Sequence, residues 1–139
     1  MINERDVIRM KVPYPSVDSG LAVAAHMYIC KKSVNHNYEY IKCQTLKPYM
    51  LNNNLLRHYH DEKANLDRNP FKHTTRIDCD KLFLTHTVEY SDDLKTQPRS
   101  DVCDDLFRAV IDEILADGVT EINVNEDQLQ NLNIYITSV

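Results

Sequence analysis

The sequence predicts a single domain that is mainly β and contains one amphipathic helix, which is an α+β fold class. Before residue 100, most of the chain consists of short runs in which apolar and polar residues alternate, the period of half-buried strands. After residue 100, one longer stretch has the helical period instead. The length of 139 residues is that of one domain.

Short alternating runs predict the strands. The first covers residues 6–13, where Ile8, Met10 and Val12 alternate with Arg9 and Lys11. An Asn-rich turn at 34–37 joins the next two strands into a hairpin. The further strands are predicted at 22–32, 38–46, 74–79, 81–84, 85–90 and, in the tail, 132–136.

Two other segments differ from this β pattern. Residues 101–117 carry a broad apolar stripe at helical spacing, with Ser100 as the expected N-cap and Gly118 as the expected C-cap. Residues 47–70 are an irregular insertion, in which 55–66 are able to form a short helix.

The charges are distributed unevenly. The net charge is −5, yet residues 21–76 hold nine Lys and Arg against four Asp and Glu, while 77–139 hold four against fourteen. A basic middle segment is able to bind phosphate while the acidic end faces elsewhere, and an unevenly charged solvated surface is the alternative.

Composition and motifs exclude several classes of protein. The chain has two glycines and neither a P-loop nor a dinucleotide fingerprint, and its four cysteines form no CxxC pair. We expect Cys30, Cys43 and Cys103, which lie in apolar patterns, to be reduced and buried. The longest apolar run, 21–25, is far too short to cross a bilayer. The sequence therefore predicts a cytoplasmic protein without membrane contact, and neither a cofactor nor a metal is expected.

The order of the segments resembles that of the PemK/MazF-like toxins of type II toxin–antitoxin systems. Asp6-Val-Ile-Arg-Met-Lys-Val-Pro-Tyr-Pro15 is similar to the opening strand of that family, and Ile41-Lys-Cys-Gln-Thr45 to the strand that carries its Thr. Arg76-Ile-Asp-Cys-Asp-Lys-Leu-Phe83 is similar to a later strand and bend, and 101–117 to the closing helix. His26-Met-Tyr-Ile-Cys30 stands where the family has a strand led by Arg-Pro, so the family's catalytic Arg is replaced by Ala25-His26.

The resemblance implies a small SH3-like, PemK-type β barrel over residues 1–117, with the insertion at about 47–70. Residues 118–139 are then an acidic extension, expected to pack on the same domain. The resemblance also implies a homodimer, a cognate antitoxin and metal-independent endoribonuclease activity on single-stranded RNA.

Such cleavage needs a base, an acid and a cation beside the phosphate. On the resemblance we expect Thr45 to be catalytic, His26 to be the base or acid in place of the missing Arg, and Arg76 to be the cation. The alternatives are a structural histidine, an ordinary strand threonine and a solvated edge arginine.

We expect the insertion to contact RNA phosphates and bases through Lys47, Tyr49, Arg57, His58 and His60. Stacking on unpaired bases is also open to Tyr38 and Tyr40, with half-buried packing as their alternative. A metal site at His58 and His60 is a further alternative, although no third ligand has suitable spacing.

Two other functions remain open. One is a catalytically weak PemK-like module that binds protein or RNA, for which a phage or plasmid origin is open. The other is an unrelated small phage or plasmid-type protein. The acidic tail is expected either to shield the basic groove or to pack as a structural strand.

Overall fold

The computed structural model describes residues 1–14, 24–52, 56–116 and 118–139. This part of the chain contains nine strands, three α-helices and one 3-10 turn at Asp92–Leu94. The fold is mainly β with a few helices, so the predicted α+β class is confirmed. The strands are β1 Val7–Met10, β2 His26–Val34, β3 Asn37–Thr45, β4 Tyr59–Glu62, β5 Thr75–Asp78, β6 Lys81–Thr85, β7 Val88–Tyr90, β8 Thr120–Asn123 and β9 Ile136–Ser138. The helices are α1 Pro48–Asn52, α2 Asp104–Leu115 and α3 Glu126–Leu132.

Seven strands form one sheet around the long strand β3. Its path is β1-β2-β3-β5-β4, and the other half of β3 pairs with β6, which in turn pairs in parallel with β8. The two remaining strands, β7 and β9, form a separate antiparallel pair. This path has two ends in the described chain, and the outer side of β1 meets Lys95 and Asp101 through isolated bridges. The described strands therefore form an open sheet and not a closed barrel.

The hairpin between β2 and β3 lies where the sequence predicts it. Asn35 and His36 form the two-residue turn, with φ values of 49° and 65°. Positive φ at both central residues is the requirement of the turn type that matches strand twist, and Asn is among the residues that accept it most readily. This turn sets the register of the two longest strands, with one irregularity between Cys30 and Lys32.

The sheet separates two apolar cores. On one face, Ile8, Tyr28 and Tyr40 pack with β7, β9 and Leu129 of α3. On the other face, the buried stripe of α2 covers Ile29, Ile41 and Ile77. Because both faces are covered, β3 is buried on both sides and shows weaker alternation than a strand with one wet face.

The predicted amphipathic helix is present, with shifted ends. Cys103 is the N-cap rather than Ser100, since its Sγ accepts the Leu106 N–H at 3.4 Å, and Ala116 is the C-cap rather than Gly118. Leu115, at the last helical position, is 71 % exposed and does not belong to the buried stripe. The helix is also not the last element, because β8, α3 and β9 follow it.

Two other local predictions need correction. The short helix predicted at 55–66 is absent from residues 56–66, where β4 pairs with β5 instead. The tail strand starts at Ile136, because Leu132 ends α3. The first two residues of the strand predicted at 22–32 lie outside the described residues.

The tail packs into the domain. Leu129 and Ile136 are almost fully buried in the first core, and β8 and β9 each add to a sheet. None of the helices in the described ranges has both the length and the apolar character that crossing a bilayer requires.

Candidate functional site

A cleft of about 780 Å³ opens where β1 ends and β2 begins. Residues from both faces of the sheet border it, because it extends past the ends of these two strands. The segments 71–73 and 93–97 and the tail complete its walls. Its lining is Arg9, Met10, Lys11, Ala25, His26, Met27, Cys43, Thr45, Phe71, Lys72, His73, Thr75, Asp93, Leu94, Lys95, Thr96, Gln97, Asn133 and Tyr135.

The cleft is strongly cationic for an acidic protein. Among the described residues, four lysine or arginine side chains line it, against one carboxylate, Asp93. Lys95 is held by Asp6 and Asp92, each at 3.5 Å. Arg9, Lys11 and Lys72 are exposed, and they form no ion pair with any residue in the described ranges. These three cations are therefore available to an anionic ligand.

The position of these cations follows from the pairing of β1. Arg9 lies opposite Met27 of β2, while its neighbours Ile8 and Met10 are buried. Lys11 directly follows the strand, where the side-chain amide of Asn133 bonds its backbone: Lys11 N–H donates to Oδ1 at 2.8 Å, and Nδ2 donates to the Lys11 carbonyl at 2.7 Å. The sequence alternation already placed Arg9 and Lys11 on the polar side of the strand, but it did not reveal a cleft there.

His26 lies at the start of β2 and borders the cleft, half-buried. It pairs with Met10 across the β1–β2 ladder. Burial lowers the pKa of His26 below its ordinary value, and the nearby charges of Lys42 and Arg9 lower it further. His26 is thus neutral at pH 7 and able to accept a proton or a hydrogen bond.

Thr45 also borders the cleft, but from the other face of the sheet. Met27 lies opposite Cys43, so the residue opposite His26 is Gln44, one position before Thr45. Thr45 itself pairs with Thr75. Because neighbouring strand residues point to opposite faces, His26 and Thr45 do not face one phosphate across the ladder as predicted. The two strands are neighbours, as expected, but the register places these side chains apart.

Arg76 is engaged in ion pairing within the fold. Its Nε and one terminal nitrogen donate to the two Asp61 oxygens at 2.8 and 2.9 Å. Its other terminal nitrogen donates to the Met50 carbonyl, and the guanidinium lies 3.9 Å from the ring centroid of Tyr59. With a side chain that is 6 % exposed, Arg76 is not among the residues that line the cleft.

The insertion residues lie elsewhere as well. Tyr49 is 62 % exposed on α1, and Lys47 is exposed just before it. The backbone N–H groups of Arg57 and His58 both donate to the Asp80 carboxylate. None of the five insertion residues predicted to bind RNA lines the cleft.

The two histidines of the insertion pair with different carboxylates. His58 Nδ1 lies 3.0 Å from Glu113 of α2, and His60 Nε2 lies 3.3 Å from Glu62. Within the described ranges, no three His, Cys, Asp or Glu side chains gather as a metal site requires.

Glu62 is the centre of a buried polar network at β4. Burial alone raises its pKa, but hydrogen bonds from Arg68, His60 and Asn69 outweigh that effect and hold the pKa of Glu62 below its ordinary value. Arg68 Nε donates at 2.8 Å and Asn69 Nδ2 at 3.1 Å. These groups stabilise the fold around β4.

Two of the predicted stacking residues and two of the cysteines are structural. Tyr38 and Tyr40 are buried, stack on each other with ring centroids 5.9 Å apart and contact Tyr90, so they offer no surface for bases. Burial raises the pKa of the Cys43 and Cys79 thiols, which keeps them protonated.

Comparisons of the chain with protein-family models, with curated proteins and with solved structures found no match. The function is therefore argued from the cleft itself.

Proposed function

We propose that this chain binds single-stranded RNA, with the phosphate backbone held in the cleft between β1, β2 and the tail. One observation carries the proposal: in a protein of net charge −5, the described lining of one cleft has four lysine or arginine side chains and a single carboxylate. An acidic surface repels polyanions, so a concentrated cationic site within it indicates an anionic ligand.

The shape and polarity of the cleft favour a single strand. A flexible strand bends into a concave site, whereas a duplex is stiff over more than a hundred base pairs. Thr45 and Gln97 add uncharged polar groups beside the cations, suited to the sugar and base edges of RNA. This proposal corresponds to the RNA-binding module that the resemblance to the PemK/MazF family left open.

The salt dependence of binding tests the proposal. If Arg9, Lys11 and Lys72 each neutralise one phosphate, the slope of log K against log salt is about −2, so affinity falls about 20-fold from 50 to 200 mM salt. The measurement is fluorescence anisotropy with a labelled single-stranded RNA, with single-stranded DNA and duplex RNA as competitors.

A double variant locates the site. Arg9→Gln with Lys72→Gln should reduce the slope to about −0.7, because one of three contacts remains. The matched control, Lys63→Gln with Arg108→Gln, removes two exposed cations outside the cleft and should leave binding unchanged. Equal affinities for the two double variants, or binding insensitive to salt, would overturn the proposal.

A second candidate is metal-independent cleavage of the bound RNA, the activity of a PemK/MazF-like toxin. One observation favours it: His26 borders the cleft in its neutral form, which is able to take the proton of a ribose 2′-hydroxyl. In this version Arg9, whose charge acts on His26, replaces Arg76 as the cation.

Cleavage is tested by incubating the protein with a long single-stranded RNA in EDTA and mapping the cut ends. The expected products carry 2′,3′-cyclic phosphates, and His26→Ala should slow cleavage on the order of 100-fold. If the RNA stays intact, the cleavage candidate fails and the proposal of RNA binding alone remains. A homodimer and a neutralising antitoxin belong to this toxin candidate, and light scattering at micromolar concentration tests the dimer.

A further inference from the structure

The tail presents one aromatic ring to the cleft. Among the described residues, Phe71 and Tyr135 bring a six-membered aromatic ring to the lining, beside the smaller imidazole rings of His26 and His73, and Phe71 is 4 % exposed. Tyr135 is 50 % exposed. Its ring is therefore the larger of the aromatic surfaces that a ligand in the described cleft is able to reach.

The backbone around Tyr135 is held on both sides. Its carbonyl accepts the Ser91 N–H at 3.1 Å, and the next residue, Ile136, is buried in the first core. Two positions earlier, the buried amide of Asn133 bonds both backbone groups of Lys11 and also donates to the Leu129 carbonyl at 2.8 Å. The tail thus fixes Tyr135 relative to Lys11 before any ligand arrives.

We propose that Tyr135 stacks on an unpaired base of the bound strand and makes the cleft selective for single-stranded nucleic acid over other polyanions. The inference rests on the proposed RNA binding and identifies its base-recognising residue. Stacking on an aromatic ring strengthens binding and tolerates any base, because every base has a π face. Because the backbone of Tyr135 is already fixed, only its two side-chain torsions are ordered on binding, so most of the stacking free energy is retained as affinity.

The chemistry separates two kinds of anion. A nucleic acid strand brings phosphates to the cleft cations and a base to Tyr135, whereas inorganic polyphosphate brings phosphates alone. A paired base in a duplex already stacks on its neighbours and does not expose its faces. Tyr135 should therefore act on base-bearing single strands and leave purely electrostatic binding unchanged.

The experiment compares Tyr135→Ala, Tyr135→Phe and the control Tyr49→Ala, an exposed tyrosine outside the cleft lining. Each is titrated with single-stranded RNA, the same oligonucleotide without bases, and inorganic polyphosphate. Tyr135→Ala should bind RNA about tenfold more weakly, within the range expected for one stacked base. Tyr135→Phe and Tyr49→Ala should bind RNA as the unaltered protein does. Abasic strand and polyphosphate should bind all four proteins equally, and the salt slope for RNA should stay the same.

The outcomes distinguish this inference from the proposed function. If the unaltered protein does not bind RNA, both fail. If it binds RNA with the expected salt slope and Tyr135→Ala binds equally well, only the stacking inference fails. If Tyr135→Ala weakens polyphosphate binding as much as RNA binding, the ring shapes the cleft without stacking on a base, and the inference is again overturned. Urea denaturation of each variant confirms that it is folded.

Discussion

Cations lie at both ends of the strand path β1-β2-β3-β5-β4, but the cations at the two ends have different roles. At the β4 end, Arg76 is paired with Asp61 and Arg68 with Glu62. At the β1 end, Arg9 and Lys11 have no ion-pair partner among the described residues. A cation that neighbours a carboxylate on a paired strand stabilises the fold, whereas a cation at a strand end beside an open cleft remains available to a ligand. Local charge density therefore does not by itself predict a binding site.

Removing the buried arginine of the β4 end should have the largest effect, and the effect should be on stability. Arg76→Ala leaves Asp61 without its bidentate partner and empties the space over Tyr59. We expect a loss of about 3 kcal/mol in the free energy of unfolding, at the lower end for broken buried pairs because Asp61 is a third exposed. Urea denaturation measures it.

The control for this prediction is Arg108→Ala, whose ion pair with Asp104 lies on the exposed side of α2. This substitution should change the free energy of unfolding by no more than about 0.5 kcal/mol. If Arg76→Ala were as stable as this control, or if folded Arg76→Ala lost its RNA affinity, the contrast between the two ends of the sheet would be wrong.

Glu62→Gln should have a smaller effect on stability, with a characteristic pH dependence. The glutamine side chain keeps the shape of Glu62 but lacks the negative charge that accepts the hydrogen bonds of Arg68 and Asn69. The substitution should lower the free energy of unfolding by about 1–3 kcal/mol at pH 7. The pKa of Glu62 is lowered in the folded protein, so its contribution is complete above the ordinary glutamate pKa and disappears as the pH falls through the lowered value.

The unfolding free energies of Glu62→Gln and the unaltered protein should therefore converge in acid. Denaturant titrations between pH 7 and pH 3 measure the difference. A difference that stays constant over this range would assign the loss to packing instead of charge.

The smallest expected effect is the pH dependence of RNA affinity at the cleft. The pKa of His26 is lowered in the free protein, and a bound phosphate favours the imidazolium and raises it. Affinity should therefore rise as the pH falls through the pKa of the bound state, and level off below the pKa of the free state. We expect about a threefold gain across this range.

His26→Gln should flatten this profile. His73 also lines the cleft, so His73→Gln is measured in parallel to separate the two side chains. Anisotropy titrations from pH 8 to pH 5.5 at constant ionic strength provide the comparison. An unchanged profile in His26→Gln would show that its ring does not meet the phosphates.

The amino-acid sequence by itself determined the α+β class, the hairpin around Asn35 and His36, and the presence of the helix now defined as α2. Each depends on local information: the period of apolar residues, or a turn that tolerates positive φ. The N-cap of α2 was harder to predict from the sequence, because Cys103 is an unusual N-cap residue and Ser100 is a common one. The strand β4 was also hidden, since Tyr59-His60-Asp61-Glu62 has one fully buried residue and gains its partner only from β5.

The tertiary structure alone decided which charged residues meet. The sequence placed Lys47, Arg57 and Arg76 in one basic stretch, but the pairing of β4 with β5 set Asp61 against Arg76. The register of β2 and β3 puts His26 and Thr45 on opposite faces of the sheet. A register shifted by one residue would have placed both side chains on the same face. The cleft is lined by Arg9, Lys72 and Tyr135, although Lys72 is more than 60 residues from each of the other two in the sequence. Such long-range proximity depends on strand order and tail packing, which no local pattern encodes.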